Sequence, residues 1–268
     1  MGTVFLHTLW ESLHRRMGLV LLAISVLVPT GLLYLIRFQA RDDGTVMAYL
    51  FSNRVGTAAE FVPSALSGLL QMTVGLWLFL GIFAIAPLLT TYLEKGWADL
   101  LLSKGVARWQ VLLGRYGGGL ALFAATLLIL DGAPAIYFWA RTGIAPGRFF
   151  LGVAMLGLSF ASVLALMALT AMVQASPSIL IIVGFMQVIV SSLLAQRESL
   201  YALMSAQWVQ WLMDWVYRIL PKNHELLGLA VNYLRTGTIE SWWAVWSSAL
   251  FVAGALGLAA WLLHRKSF

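Results

Sequence analysis

Met17-Gly18-Leu19-Val20-Leu21-Leu22-Ala23-Ile24-Ser25-Val26-Leu27-Val28-Pro29-Thr30-Gly31-Leu32-Leu33-Tyr34-Leu35-Ile36 runs for twenty residues without a charge. At about 1.5 Å per residue, a helix of that length measures about 30 Å, the thickness of a bilayer's hydrocarbon core. Arg15 and Arg16 stand before it, and Arg37 and Arg41 after it. A cleavable leader has a shorter apolar core and small residues before the cut. Arg37-Phe38-Gln39-Ala40-Arg41 lacks that pattern, so the run reads as an uncleaved first span.

The whole chain agrees with this stretch. Of 268 residues, 61% are hydrophobic and 10% charged, where a soluble domain carries about 25% charged residues. So little charge cannot cover a water-facing surface, and lipid is the main solvent. The apolar stretches are helix-length and lack the roughly ten-residue alternation of a membrane barrel strand. Backbone groups in lipid must pair internally, which leaves helices. The expected fold is all-α and polytopic, one transmembrane domain over 1–268 with about six spans.

Outward from the first span, residues 3–14 read as an interfacial amphipathic helix (segment 1–16). Phe5, Leu6, Leu9, Trp10 and Leu13 gather on one side, with His7, Glu11 and His14 on the other. Residues 39–62 are mixed polar and expected as an external loop. Further spans are expected at about 63–90, 115–140, 149–173, 178–195 and 242–263. Residues 196–240 are too polar to span. Within them Gln207, Gln210, Asp214 and Arg218 form a polar stripe, with Asp214 and Arg218 placed to pair at i,i+4, opposite Trp208, Trp211, Leu212 and Trp215. Pro221 stops that helix, Asn223 is expected to cap a second, and Gly237 to end it. The expectation is an outer helical hairpin lying in, or dipping into, the interface, either as a lid or as a gate.

Basic residues at span ends set orientation. With the N-terminus inside, the inner segments hold eight basic residues against three acids, and the outer segments nine against seven over more sequence. The inner bases are denser and abut the spans, so both termini are expected to be cytoplasmic, in a multi-pass cell (inner) membrane protein.

Chemistry is sparse. There are no cysteines, which excludes disulfides, thiolate metal sites and cysteine nucleophiles. No phosphate-cradling glycine loop occurs, and no Gly-Lys dipeptide, so ATP hydrolysis by this chain is not expected. His7, His14, His224 and His264 are scattered, with no zinc motif. No cofactor is implied. The net charge of +6 suits anionic lipid, and without a basic cluster nucleic-acid binding is not expected. Asp131 is the one acid well inside an expected span. It is a candidate for a pathway or proton role, or a structural group serving the kink at Gly132 and Pro134 or pairing with Arg141.

The second informative stretch is Thr91-Tyr92-Leu93-Glu94-Lys95-Gly96-Trp97-Ala98-Asp99-Leu100-Leu101-Leu102-Ser103-Lys104-Gly105-Val106-Ala107-Arg108, running on to Leu113-Gly114-Arg115-Tyr116. It resembles the cytoplasmic loop of ABC-2-type permeases, the membrane subunits of many ATP-binding-cassette exporters. That family shows a Glu, a Gly, a Leu-Leu-Ser run, a short turn, an Arg, and Leu-Gly-Lys/Arg entering the next helix. Here those are Glu94, Gly96, Leu101-Leu102-Ser103, Arg108 and Leu113-Gly114-Arg115. Gly96-Trp97 stands where the family often has Gly-Thr, and Lys104-Gly105-Val106-Ala107-Arg108 where it often has Lys-Pro-Val-Ser-Arg. Leu220-Pro221-Lys222 with Glu225-Leu226 is similar to a segment of the short, separately encoded permeases, a group that includes the membrane subunit of the nitrous-oxide-reductase maturation transporter.

The resemblance implies a coupling loop over 91–114, with Glu94, Gly96, Asp99, Leu101, Leu102, Ser103, Lys104 and Arg108 as docking residues. It implies cytoplasmic ABC ATPase subunits as partners, and a second copy or sister permease alongside. Asp99–Lys104 has the pattern of a short helix whose leucines would plug a partner's cleft. The alternative for the loop is a charged turn that only fixes topology. For the chain, the alternatives are a secondary transporter or channel using Asp131, or a non-transporting membrane scaffold.

Overall fold

The computed structural model describes residues 2–14, 16–41, 45–91, 107–201 and 206–265. Six helical stretches among them are long and apolar enough to cross a membrane. α1 (Gly2–His14) leads into α2 (Arg16–Leu35). Three short strands follow, β1 (Ile36–Ala40), β2 (Val46–Leu50) and β3 (Asn53–Thr57). Then come α3 (Ala58–Thr91), α4 (Arg108–Leu130) and α5 (Gly132–Thr142). α6 (Gly147–Val173) and α7 (Pro177–Ala195) complete the fourth and fifth spans. α8 (Arg197–Tyr201), α9 (Gln207–Ile219) and α10 (Asn223–Thr236) precede the last span, α11 (Trp243–Arg265).

The multi-pass helical expectation stands, and the revisions concern its parts. Overlapping the expected 39–62 loop, residues 36–40, 46–50 and 53–57 form an antiparallel sheet in the order β1-β2-β3. Ile36 pairs with Leu50 and Ala40 with Val46, and the β2–β3 register shifts at Ala48/Tyr49. Phe38 sends its ring inward to meet Phe61 and Phe138, with centroids 6.2 and 5.6 Å away. The Tyr137 hydroxyl donates to the Ile36 carbonyl at 3.3 Å. The sheet is thereby seated on the ends of α3 and α5. Phe51, in the two-residue β2–β3 connection, has φ 58°. That left-handed conformation costs a residue with a Cβ about 1–2 kcal/mol.

α6 is the central helix, with two thirds of its most apolar window buried, against 22% for α2 and 17% for α11. It packs against α3, α4, α7, α10 and α11. Phe123 of α4 stacks on Phe160 of α6, centroids 3.6 Å apart. A Cβ at Gly81 of α3 would lie 2.9 Å from both rings, so the three helices meet there at a distance glycine sets. The Tyr116 hydroxyl, buried, donates to the Ala161 carbonyl at 3.0 Å and ties α4 to α6 a few turns away.

The third span differs from a single 115–140 helix. It begins at Arg108 and breaks at Asp131. Proline at position 134 has no N–H for the Leu130 carbonyl four residues back, which ends the regular ladder there.

α1 buries its small side chains most deeply, with Phe5, Leu9 and Leu13 half-buried. Val4, Thr8 and Ser12 are its buried face, while Leu6 and Trp10 point away from the protein. It lies along the start of α4, where a Cβ on Gly114 would come within 2.8 Å of Val4 and one on Gly118 within 2.6 Å of Thr8. The small-residue pair at four-residue spacing is therefore a docking strip for α1. Leu6 and Trp10, left outward, suit an interfacial helix.

The two helices of the hairpin sit differently. α9 has no buried residue and keeps its tryptophans exposed. α10 does not rest on the surface: Asn223, Leu226, Ala230, Val231 and Leu234 are buried against α3, α6 and α7. Ala230 faces Gly152 of α6, whose glycine opens the space. Lys222, not Asn223, is the N-cap residue, because the Asn223 side chain turns into the bundle. Gly237 ends α10 in the left-handed conformation expected of it, φ 75°.

Candidate functional site

Seven of the eight expected docking residues (Glu94, Gly96, Asp99, Leu101, Leu102, Ser103 and Lys104) lie outside the described residues. Arg108 is described, and it opens α4. Its Nη1 donates to the carbonyls of Leu263 at 3.2 Å and His264 at 3.3 Å, at the C-terminal end of α11. A guanidinium there satisfies carbonyls that have no partner within their own helix. Two turns further on, Arg115 is 2% exposed and ion-paired with Glu11 of α1. The pair is bonded through Arg115 Nη1 and Glu11 Oε2. The segment that follows residue 91 thus returns into a helix strapped to both terminal helices.

Asp131 is fully buried. Its carboxylate is not paired with Arg141, whose guanidinium instead lies 5.7 Å from the Tyr137 ring centroid. Nor does it serve the backbone at the break. Oδ1 accepts a 2.8 Å hydrogen bond from Thr73 Oγ1 of α3, and among the described residues Oδ2 has no partner. The geometry joins two spans through a carboxyl group, an arrangement able to hold or exchange a proton in an otherwise apolar place.

A second polar set was not singled out from the sequence. Ser162 of α6, Gln187 of α7 and Asn223 of α10 are all buried. Ser162 Oγ lies 2.8 Å from Asn223 Oδ1 and accepts from Gln187 Nε2 at 3.3 Å. Beside them the His224 amide donates to Ser191 Oγ at 3.3 Å, and the Lys222 amide to Ser248 Oγ at 3.1 Å. These bonds hold α10 in the bundle. Gln187, the one amide in a nineteen-residue apolar helix, was the signal available.

At the α9–α10 corner, cations and rings collect. The Lys222 side chain is buried, with Nζ donating to the Tyr217 carbonyl at 3.2 Å. It stands 4.6 Å from the Tyr217 ring and 5.5 Å from that of Trp243. Burial pulls its ammonium below the usual lysine range, and Glu225 opposes that. Burial, then a hydrogen bond donated to the Glu225 carboxylate, pushes the Tyr217 phenol up to about 12. Asp214 does not pair with Arg218, the partner expected from spacing. Its Oδ1 takes the Tyr201 hydroxyl at 2.6 Å and lies 3.5 Å from Arg197 Nε. Among the described residues no cluster of three His, Asp or Glu could hold a metal ion.

No protein-family model matches this chain, and no curated protein matches it.

Proposed function

We propose that the chain is the membrane-spanning permease subunit of an ATP-binding-cassette exporter, powered by a separate cytoplasmic ATPase. The observation that carries this reading is the 91–116 stretch, with Glu94, Gly96, Leu101-Leu102-Ser103, Arg108 and Leu113-Gly114-Arg115 in the order of an ABC-2 coupling loop. Its placement between two long spans supports the reading. So do the Arg108 and Arg115 contacts, through which a push on the loop would reach α1, α4 and α11 together. Two copies, or one copy with a sister, would flank the pathway, with both termini cytoplasmic. ATP-driven closure of the ATPases would rock the spans between two arrangements.

The test is detergent pull-down of a candidate ATP-binding-cassette ATPase from the same organism, paired with its ATPase rate. With Leu101 and Leu102 seated in a partner cleft, replacing both with Asp detaches the ATPase while the spans remain inserted. Burying one leucine contributes about 1.5–3 kcal/mol, and a buried unpaired carboxylate costs several more. Affinity should fall about a thousandfold. Wild-type binding by the double variant would remove the docking role.

The Asp131–Thr73 bond favours one second reading, a proton-coupled transporter working through the buried carboxyl group. Transport driven by a pH gradient without ATP would select it.

A further inference from the structure

An open-sided groove of about 440 Å³ runs between α6, α9 and α11. Its length follows α11 from Trp243 to Leu258, about 22 Å at 1.5 Å per residue. Ser247, Gly254 and Ala255 make its floor shallow-walled, and Leu166 and Leu169 of α6 form the opposite side. A Cβ on Gly254 would meet nothing within 4 Å, so the space there is real. One charged group lines the groove, Arg218, at its α9 end.

Arg218 is exposed, and among the described residues it has no ion pair. Asp214, one helical turn earlier, is engaged by Arg197 and Tyr201 instead. A guanidinium without a counter-ion therefore stands at the mouth of an apolar channel on a membrane-spanning helix. Trp243 lines the same end, and tryptophan favours the headgroup level.

We infer that this groove binds one anionic phospholipid of the surrounding bilayer. Its phosphate sits on Arg218 and an acyl chain lies along Ser247, Gly254 and Leu258. Arginine matches phosphate oxygens with a fork of donors, where an ammonium offers a point charge. The chain contributes contact with a surface that already faces hydrocarbon, so the apolar part sets position and the charge sets preference. The inference does not depend on the transport reading, since the groove is built without any residue of the 91–114 loop.

The full chain, purified in detergent, is mixed with phosphatidylglycerol or phosphatidylcholine, and bound lipid is counted by native mass spectrometry. Wild type should retain phosphatidylglycerol in preference. Arg218→Glu should lower its retention about tenfold and abolish the preference. Gly254→Leu fills the groove and should lower retention of both lipids. Gly257→Leu, which has open space around it but does not line the groove, should bind as wild type. Unchanged lipid binding in Arg218→Glu or Gly254→Leu overturns the assignment. So does efficient disulfide dimerisation of Leu258→Cys, in a chain with no other cysteine, because the occupant would then be a second copy.

Discussion

Thr73 donates a 2.8 Å hydrogen bond to Asp131 across the interface of α3 with the broken third span. Both side chains are buried, so the pair matters to stability whatever it does in transport. Asp131→Asn keeps an acceptor for Thr73 and should melt close to wild type. Thr73→Val strands a buried carboxyl group and should cost about 1–3 kcal/mol. Under the permease reading, ATPase activity coupled to this chain should survive Asp131→Asn. Loss of transport by a variant that folds and assembles normally would move Asp131 from a structural to a pathway role.

Glu11 and Arg115 make a second cross-helix pair, and here one partner is 2% exposed. Glu11→Ala leaves the guanidinium in a buried place without that carboxylate, at a cost of about 3–5 kcal/mol. The loss should appear as protease cleavage before α2, since α1 is held to α4 at this point. Gly118→Leu should release α1 by a different route, overlap with Thr8. Intact protection in both variants would mean α1 is anchored elsewhere.

Phe51 invites the opposite result. With φ 58° it is a non-glycine residue in the left-handed region, exposed to its surroundings. Phe51→Gly should raise the melting temperature, by a net gain of up to about 1 kcal/mol after the added freedom of the unfolded chain is subtracted. A fall in stability would mean that the Phe51 ring contacts something that holds the sheet.

Lys222 makes stability depend on pH. Its folded-state pKa lies below the ordinary 10.5 because of burial, so the unfolded chain binds the proton more readily. The associated stabilisation is complete above pH 10.5 and is lost as pH falls through the folded pKa. Lys222→Met has no such dependence. Thermal unfolding in detergent at pH 8 and pH 10.5 should therefore show wild type gaining on Lys222→Met as pH rises. A constant difference between the two proteins would refute the buried ammonium.

The spans were readable because lipid imposes a length and a composition on each. Even their ends fell within a few residues at α6, α7 and α11. The sheet was harder. Asp43-Gly44, a hairpin signal, stood in the sequence, but Phe51-Ser52 is not a turn pair that announces itself. Arg218 and Asp214 had ideal helical spacing and still did not pair, because Arg197 and Tyr201 approach from a neighbouring helix. Spacing reports what one helix offers; competition between helices decides what is taken. The buried face of α10 was also visible, at 223, 226, 230 and 234, within a stretch too polar overall to span. Burial on one face alone reconciles the two.

That wedge places a constraint on biogenesis. α10 sits against α3, α6 and α7, all of them earlier in the chain, and enters from the end of the bundle reached by α7. Synthesis halted after residue 195 would leave those three spans lining a vacant slot, with Ser162 and Gln187 turned toward it and Asn223 not yet made. The insertion machinery must then release a cleft with polar walls into lipid, or shield it until about forty more residues have been made and one helix has folded back. A chain of this design is at its most vulnerable to quality-control proteases late in translation, when nearly all of its spans are already in place.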